Sequence, residues 1–103
     1  METELLKLHY PNEHVAIVRF SNPPVNAHSQ KLLMETALIF DYLSDKEDVR
    51  VIILTGEGKC FCAGADIKER VRSEPKLGDH WQNSRRAREA YHSIFECQKP
   101  VIG

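Results

Sequence analysis

Apolar and polar positions alternate at the start of the chain. Leu6-Lys7-Leu8-His9-Tyr10 and Val15-Ala16-Ile17-Val18-Arg19-Phe20 have the composition and period of short strands. Pro11-Asn12-Glu13-His14 between them carries turn chemistry, so the pair predicts a hairpin. Ser21-Asn22-Pro23-Pro24 stops the second strand, because two prolines cannot continue a ladder. The period then changes. Leu33, Thr36, Ala37, Phe40 and Leu43 recur as one face of an amphipathic helix, which Ser29 can cap and which ends near Ser44 or Asp45. Asp45 to Asp48 is a charged connection. Val49 to Thr55 (VRVIILT) is a β-branched run with one charge, which predicts a strand buried on both faces.

A small-residue stretch follows, Gly58 to Glu69 (GKCFCAGADIKE). Beyond its turn, Ile67 to Arg72 has the length of one or two helical turns. Ser73 to Asp79, with Pro75 and Gly78, reads as a mobile connection. A longer helix is predicted from about His80 to Cys97, with Trp81, Ser84, Ala87, Tyr91, Ile94 and Phe95 on its inner side. Lys99-Pro100 breaks it, and Val101-Ile102-Gly103 opens another apolar run at which the sequence stops. Helix, buried strand and Gly-rich loop in this order predict an α/β layer architecture. There is no internal repeat and no low-complexity segment.

Bulk properties narrow the function without choosing it. At 103 residues the chain is at most one small domain. Its 14 basic and 15 acidic residues give a net charge of −1, with no electrostatic footprint for nucleic acid or an anionic membrane. The basic cluster Arg85-Arg86 with Arg88 reads as a solvated helix face. The opening METELLKLHY has acidic residues where a targeting segment would have Arg or Lys, and no apolar run reaches the roughly 18 residues of a membrane span. Cys60, Cys62 and Cys97 make an odd count with no secretion signal. A soluble, cytoplasmic chain with reduced thiols is expected.

The stretch GKCFCAGADIKE is the candidate for chemistry. A dinucleotide fingerprint fails because Phe61 stands in the third glycine's place, and a P-loop fails at Ile53 and Cys60. Cys60 and Cys62 are one residue apart where structural zinc sites have two to four, so no metal is expected. A nucleophilic thiol would need an electropositive, partly exposed setting; Lys59 is near, but free cysteines are more often small core fillers. The backbone offers another route. Ala63-Gly64-Ala65 carries almost no side chain, so its amides can approach a ligand closely. Asp66 and Glu69 have the spacing of a capping box. That puts the Ala65 amide just outside a helix N-terminus, a place suited to a carbonyl oxygen. A plain tight turn before a helix is the alternative.

Gly58 to Glu69, preceded by Val51-Ile52-Ile53-Leu54-Thr55-Gly56, closely resembles the first signature of the crotonase superfamily, the enoyl-CoA hydratases and isomerases. The resemblance continues upstream in Asn22-Pro23-Pro24-Val25-Asn26-Ala27 and downstream in Lys99-Pro100-Val101-Ile102-Gly103. It implies the family's α/β spiral of strand-strand-helix units, of which residues 1–103 would be the N-terminal part, usually assembled as trimers or dimers of trimers. It implies that the Ala65 amide is one of two that hold an acyl-CoA thioester oxygen. It places Ala63, Asp66 and Ile67 along the adenine and pantetheine path and Val25 and Ala27 where the first loop meets the CoA, with Lys68 or Lys59 toward a phosphate. The CoA thioester is substrate, and no further cofactor is implied.

In the family the second oxyanion amide and the acid/base carboxylates come from segments after Lys-Pro-Val-Ile. Glu57, Glu69 and Glu96 are not at those positions and are assigned surface or capping roles, and His28 reads as a polar loop residue rather than a base. Residues 1–103 by themselves are therefore expected to be inactive and poorly stable as a monomer. The implied activity is hydration of 2-trans-enoyl-CoA. Isomerisation, thioester hydrolysis, decarboxylation, or a non-catalytic acyl-CoA-binding or assembly role are its rivals.

Overall fold

Leu6–Asn12 (β1) and Val15–Phe20 (β2) pair antiparallel, with Leu6 opposite Phe20 and Leu8 opposite Val18. The computed structural model describes residues 3–62, 64 and 79–103. The hairpin is tighter than its sequence suggested: β1 continues through Pro11 and Asn12, leaving only Glu13 and His14 in the turn. The register shifts between His9 and Asn12, and at such an irregularity a proline without an N–H is tolerated.

From β2 the chain crosses through α1 (Gln30–Asp45) into β3 (Val51–Gly56), which lies parallel to β2 with Val15 opposite Val51. A second crossover, containing α2 (Asp79–Phe95), leads to β4 (Val101–Ile102), parallel to β3. The sheet order is β1-β2-β3-β4. Residues 67–72, expected to be helical, and most of the connection expected at 73–79 lie outside the described residues; Asp79 itself already begins α2.

The core forms where α1 covers the sheet. Ser29 caps α1 as expected, its hydroxyl accepting from the Leu32 amide at 3.2 Å. The inward face comprises Leu32, Leu33, Glu35, Thr36, Ile39, Phe40 and Leu43, a wider stripe than the sequence suggested, with Ala37 only half-buried. It joins Ala16, Val18 and Phe20 of β2 and Ile52 and Leu54 of β3 in one cluster. β3 buries Ile52 and Leu54, while Val51, Ile53 and Thr55 on its other face are only half-buried. The expectation of a strand buried on both faces is corrected: α1 shields one side, and the other is half-buried.

Glu35 is buried on α1 because its carboxylate accepts the amides of Glu4 at 2.5 Å and Leu5 at 3.1 Å, tying the entry of β1 to the helix. At the other end of α1, the Lys99 ammonium donates to the carbonyls of Leu43, at 2.6 Å, and Lys46. A cation there satisfies orphan helix carbonyls and the negative end of the dipole.

α2 corrects the sequence expectation most. Trp81 and Phe95 are more than four-fifths exposed, and Ser84 and Tyr91 are also exposed. The side facing α1 is built around Ala90, which is fully buried, with Ile94, as expected, packed against the core; the helix stops at Phe95, short of the expected Cys97, and Cys97 packs on the core from just beyond it. At about 100° per residue, Trp81 and Phe95 fall on the far side from Ala90. A small residue lets two helices approach closely, so the contact selected Ala90 over the aromatic stripe.

Candidate functional site

Two loops meet at the end of β2 and β3, residues 21–29 and 57–64. Asn26 joins them. It is buried and sits at φ +54°, a left-handed conformation that Asn tolerates better than most residues. Its Oδ1 accepts the Asn22 amide at 2.9 Å, closing its own loop. Its Nδ2 donates to the carbonyls of Glu57 at 3.0 Å and Cys60 at 2.6 Å, reaching the other. Asn22 returns a bond from its Nδ2 to the Ala27 carbonyl at 2.7 Å.

Gly56 makes room for this clamp. A Cβ there would lie 2.8 Å from Asn26 Nδ2 and from the Phe61 carbonyl, and 2.9 Å from the Cys60 carbonyl. The base of the loop is fixed by the Glu57 amide on the Phe20 carbonyl at 2.9 Å and by Ser21 Oγ on the Glu57 carboxylate at 2.5 Å. The Ser21 hydroxyl bond, helped by the Lys7 ammonium, holds the Glu57 carboxyl below the usual carboxylate range.

At the far end of the loop, Gly64 adopts φ +101°, which suits a residue without Cβ. Both of its backbone groups are held. Its N–H donates to Cys62 Sγ at 3.3 Å, and its carbonyl accepts the His28 N–H at 2.7 Å. The His28 ring is held as well: Nδ1 is 2.7 Å from the Tyr91 hydroxyl of α2, and the ring meets Phe20 edge-on with centroids 5.0 Å apart. Phe61 packs on Phe20 at 5.4 Å. Burial lowers the His28 pKa, favouring the neutral imidazole. Burial first, and the nearby Cys62 second, raise that of Tyr91.

Of the residues singled out from the sequence, Val25 is exposed at the tip of the first loop, and Ala27 is half-buried, its carbonyl held by Asn22. Ala63, Ala65, Asp66, Ile67 and Lys68 lie outside the described residues, though Gly64 between them is described. Lys59 is exposed. Cys60, Cys62 and Cys97 are free thiols, and among the described residues no three His, Cys, Asp or Glu side chains gather as metal ligands would. A cleft along α2, lined by Trp81, Gln82, Ser84, Arg85 and Arg88, holds part of the basic cluster; Arg85 there pairs with Glu89 at 2.8 Å. Sequence reading missed the roles of Asn26, Gly56 and Tyr91. Asn26 and Gly56 lie within quoted motif segments, and an Asn after two prolines is a signal for a left-handed turn.

This arrangement presents a backbone turn at Gly64 held at both its N–H and its carbonyl. Residues 11–103 match the family model described as enoyl-CoA hydratase/isomerase. The chain belongs to that family. A Bacillus subtilis (strain 168) protein named "Probable enoyl-CoA hydratase" is 45% identical over 91 residues, covering 88% of this chain and 35% of that protein. A Mycobacterium tuberculosis protein named as a hydrolase of a methyl-dioxo-hexahydro-indene-carboxyl-CoA is 35% identical over 92 residues, covering 89% of this chain and 37% of the other. The crystal structure of enoyl-CoA hydratase from Bacillus anthracis superposes with a TM-score of 0.84 at 30% identity, over 95% of this chain and 38% of that one. The α/β architecture is thus the crotonase-like fold of this family, matched along its N-terminal region. The chain spans little more than a third of the length of these relatives.

Proposed function

We propose that the protein carrying this chain hydrates a 2-trans-enoyl-CoA, with the Ala65 amide as one of two donors to the thioester oxygen. The observation that carries the proposal is the pinned Gly64 turn, to which Asn26 and His28 join the loop of Val25 and Ala27. The loop of Val25 and Ala27 is thereby tied to Gly64, the described residue of the stretch where the family resemblance places the other CoA contacts. Val25 and Ala27 would meet the CoA, and Ala63, Asp66, Ile67 and Lys68 would line its adenine and pantetheine path. Negative charge develops on the thioester oxygen as the enolate forms, and a preorganised amide there is worth about 3–4 kcal/mol of barrier. The substrate is itself a CoA thioester, and the proposed addition of water needs no other cofactor.

Turnover of crotonyl-CoA by the full-length protein tests this, with Ala65→Pro as the decisive variant because proline has no N–H. It should abolish turnover while CoA affinity, measured alongside, persists. Normal turnover would overturn the assignment. Cys60→Ala and Cys62→Ala should stay within several-fold, since the proposed catalyst is backbone.

Thioester hydrolysis is the second reading, favoured by the hydrolase name of the Mycobacterium tuberculosis relative. Release of free CoA thiol, against loss of enoyl absorbance without it, separates the two. A homo-oligomer of trimers or paired trimers, a cytoplasmic location, and inactivity of residues 1–103 by themselves belong to the same proposal.

A further inference from the structure

His28 and Tyr91 form a polar pair between the loop at 21–29 and α2. The ring Nδ1 of His28 is 2.7 Å from the Tyr91 hydroxyl oxygen, and the imidazole lies against the Phe20 and Tyr91 rings at centroid distances of 5.0 and 5.8 Å. Its Nε2 is buried and has no partner among the described residues. Burial favours the neutral ring, in which one nitrogen carries a proton and the other is a bare acceptor. A buried main-chain N–H is orphaned more rarely than a carbonyl is left under-used. The same preference applied to this ring puts the proton on Nδ1, where the Tyr91 oxygen accepts it, and leaves the bare lone pair on Nε2.

With that tautomer Tyr91 accepts from His28 and keeps its own proton. The hydroxyl has no other partner among the described residues, and the ring that carries it is half-exposed. It stands beside the junction of the two loops, since the main chain of His28 bonds the Gly64 carbonyl at 2.7 Å and Cys62 is near enough to act on Tyr91 electrostatically. No Lys or Arg among the described residues contributes to the charge environment of Tyr91. A phosphate calls for such a cation, whereas a neutral O–H donor matches a carbonyl oxygen. We propose that Tyr91 is a further binding residue of the acyl-CoA site: fixed by His28, its hydroxyl donates to a carbonyl oxygen of the acyl-pantetheine arm. This rests on the acyl-CoA reading, which brings the ligand along the loop of Val25 and Ala27.

The test uses the full-length protein and two measurements. Nitrogen NMR of the unaltered protein labelled at histidine, with His28→Gln to assign the signal, should show the proton on Nδ1 and a bare Nε2. Calorimetric titration then compares the unaltered protein with Tyr91→Phe, which keeps the ring and deletes the hydroxyl. Loss of one neutral hydrogen bond should raise the Kd for crotonyl-CoA about three- to ten-fold. The Kd for adenosine 3′,5′-bisphosphate, which carries the nucleotide end without the acyl-pantetheine arm, should not change. Free CoA assigns the oxygen: an equal loss with free CoA names a pantetheine carbonyl, and a loss confined to crotonyl-CoA names the thioester.

A proton found on Nε2 would overturn the inference, because Tyr91 would then be donating to His28; this result is read on the unaltered protein and decides whether or not the variant folds. Equal crotonyl-CoA affinity in Tyr91→Phe and the unaltered protein would also overturn it, and would leave the acyl-CoA reading standing. So would a parallel loss of adenosine 3′,5′-bisphosphate affinity, which marks damage to the whole site rather than one lost bond. Failure of the unaltered protein to bind crotonyl-CoA would overturn both this inference and the reading beneath it.

Discussion

Between α1 and the sheet, Leu32, Ile39, Phe40 and Leu43 share one apolar cluster with Val18, Phe20, Ile52 and Leu54. Between the loops at 21–29 and 57–64, the link is a few directed bonds from Asn26 and His28, made around Gly56 and Gly64. The first region is held by many small, non-directional contacts, and losing one leaves a cavity in an otherwise intact layer. The second is held by geometry, and losing one directed bond frees a backbone segment that no packed layer holds in place. Damage to the layer should therefore lower stability, whereas damage to the loops should lower function beyond what lost stability explains.

The largest effect should come from Phe40→Ala, at a fully buried position, with a loss of about 3–5 kcal/mol in denaturant unfolding. The fraction that remains folded should bind acyl-CoA with normal affinity. Weakened binding in that fraction would break the comparison.

Asn26→Ala should cost about 1–3 kcal/mol through the unpaired carbonyls of Glu57 and Cys60 and the left-handed backbone. Its loss of acyl-CoA affinity, read by calorimetric titration of the folded protein, should exceed that of Phe40→Ala. Gly56→Ala should reproduce it, since the new Cβ displaces the same side chain. Lys99→Met removes the cation from the end of α1 and should cost about 1 kcal/mol with no change in affinity.

The His28 contribution is smaller and appears as pH dependence. Its pKa in the fold is lowered from 6.5 by burial, so the unfolded chain takes up a proton first as pH falls. The stability it contributes is complete above pH 6.5 and is lost as pH falls through the lower folded value. His28→Gln should flatten the decline in melting temperature between about pH 7 and pH 5 relative to the unaltered protein. An identical decline in both would remove His28 from the account. Trp81→Ala should lie within about 0.5 kcal/mol of the unaltered protein, because the ring is exposed.

Why parts of this fold could be read in advance and others not is clearest at α1 and α2. In α1 the apolar residues coincide with the face that packs, so their spacing gave the element, its cap and most of its core. In α2 the largest apolar residues point away from the packed side, and the spacing of Trp81, Tyr91 and Phe95 misled. Spacing reports which residues share a face, not which face meets a neighbour. The loop site divides the same way. The small-residue stretch around Gly64 stood out as backbone chemistry. Asn26 and Tyr91 did not, because their partners lie 34 and 63 positions away.

The sequence by itself determined the strands β1 to β3, the two helices, the proline stop after β2, and the family to which the chain belongs. Each is carried by a local pattern, a period of apolar positions or a run of specific residues that neighbours in the chain can express. The tertiary structure decided that Ala90 is the contact of α2, that Glu35 and Lys99 secure the two ends of α1, and that Asn26 and His28 hold the loop from Glu57 to Gly64 in place. These depend on distance in space, since a buried polar side chain finds its partner only after the sheet has brought remote segments within about 3 Å.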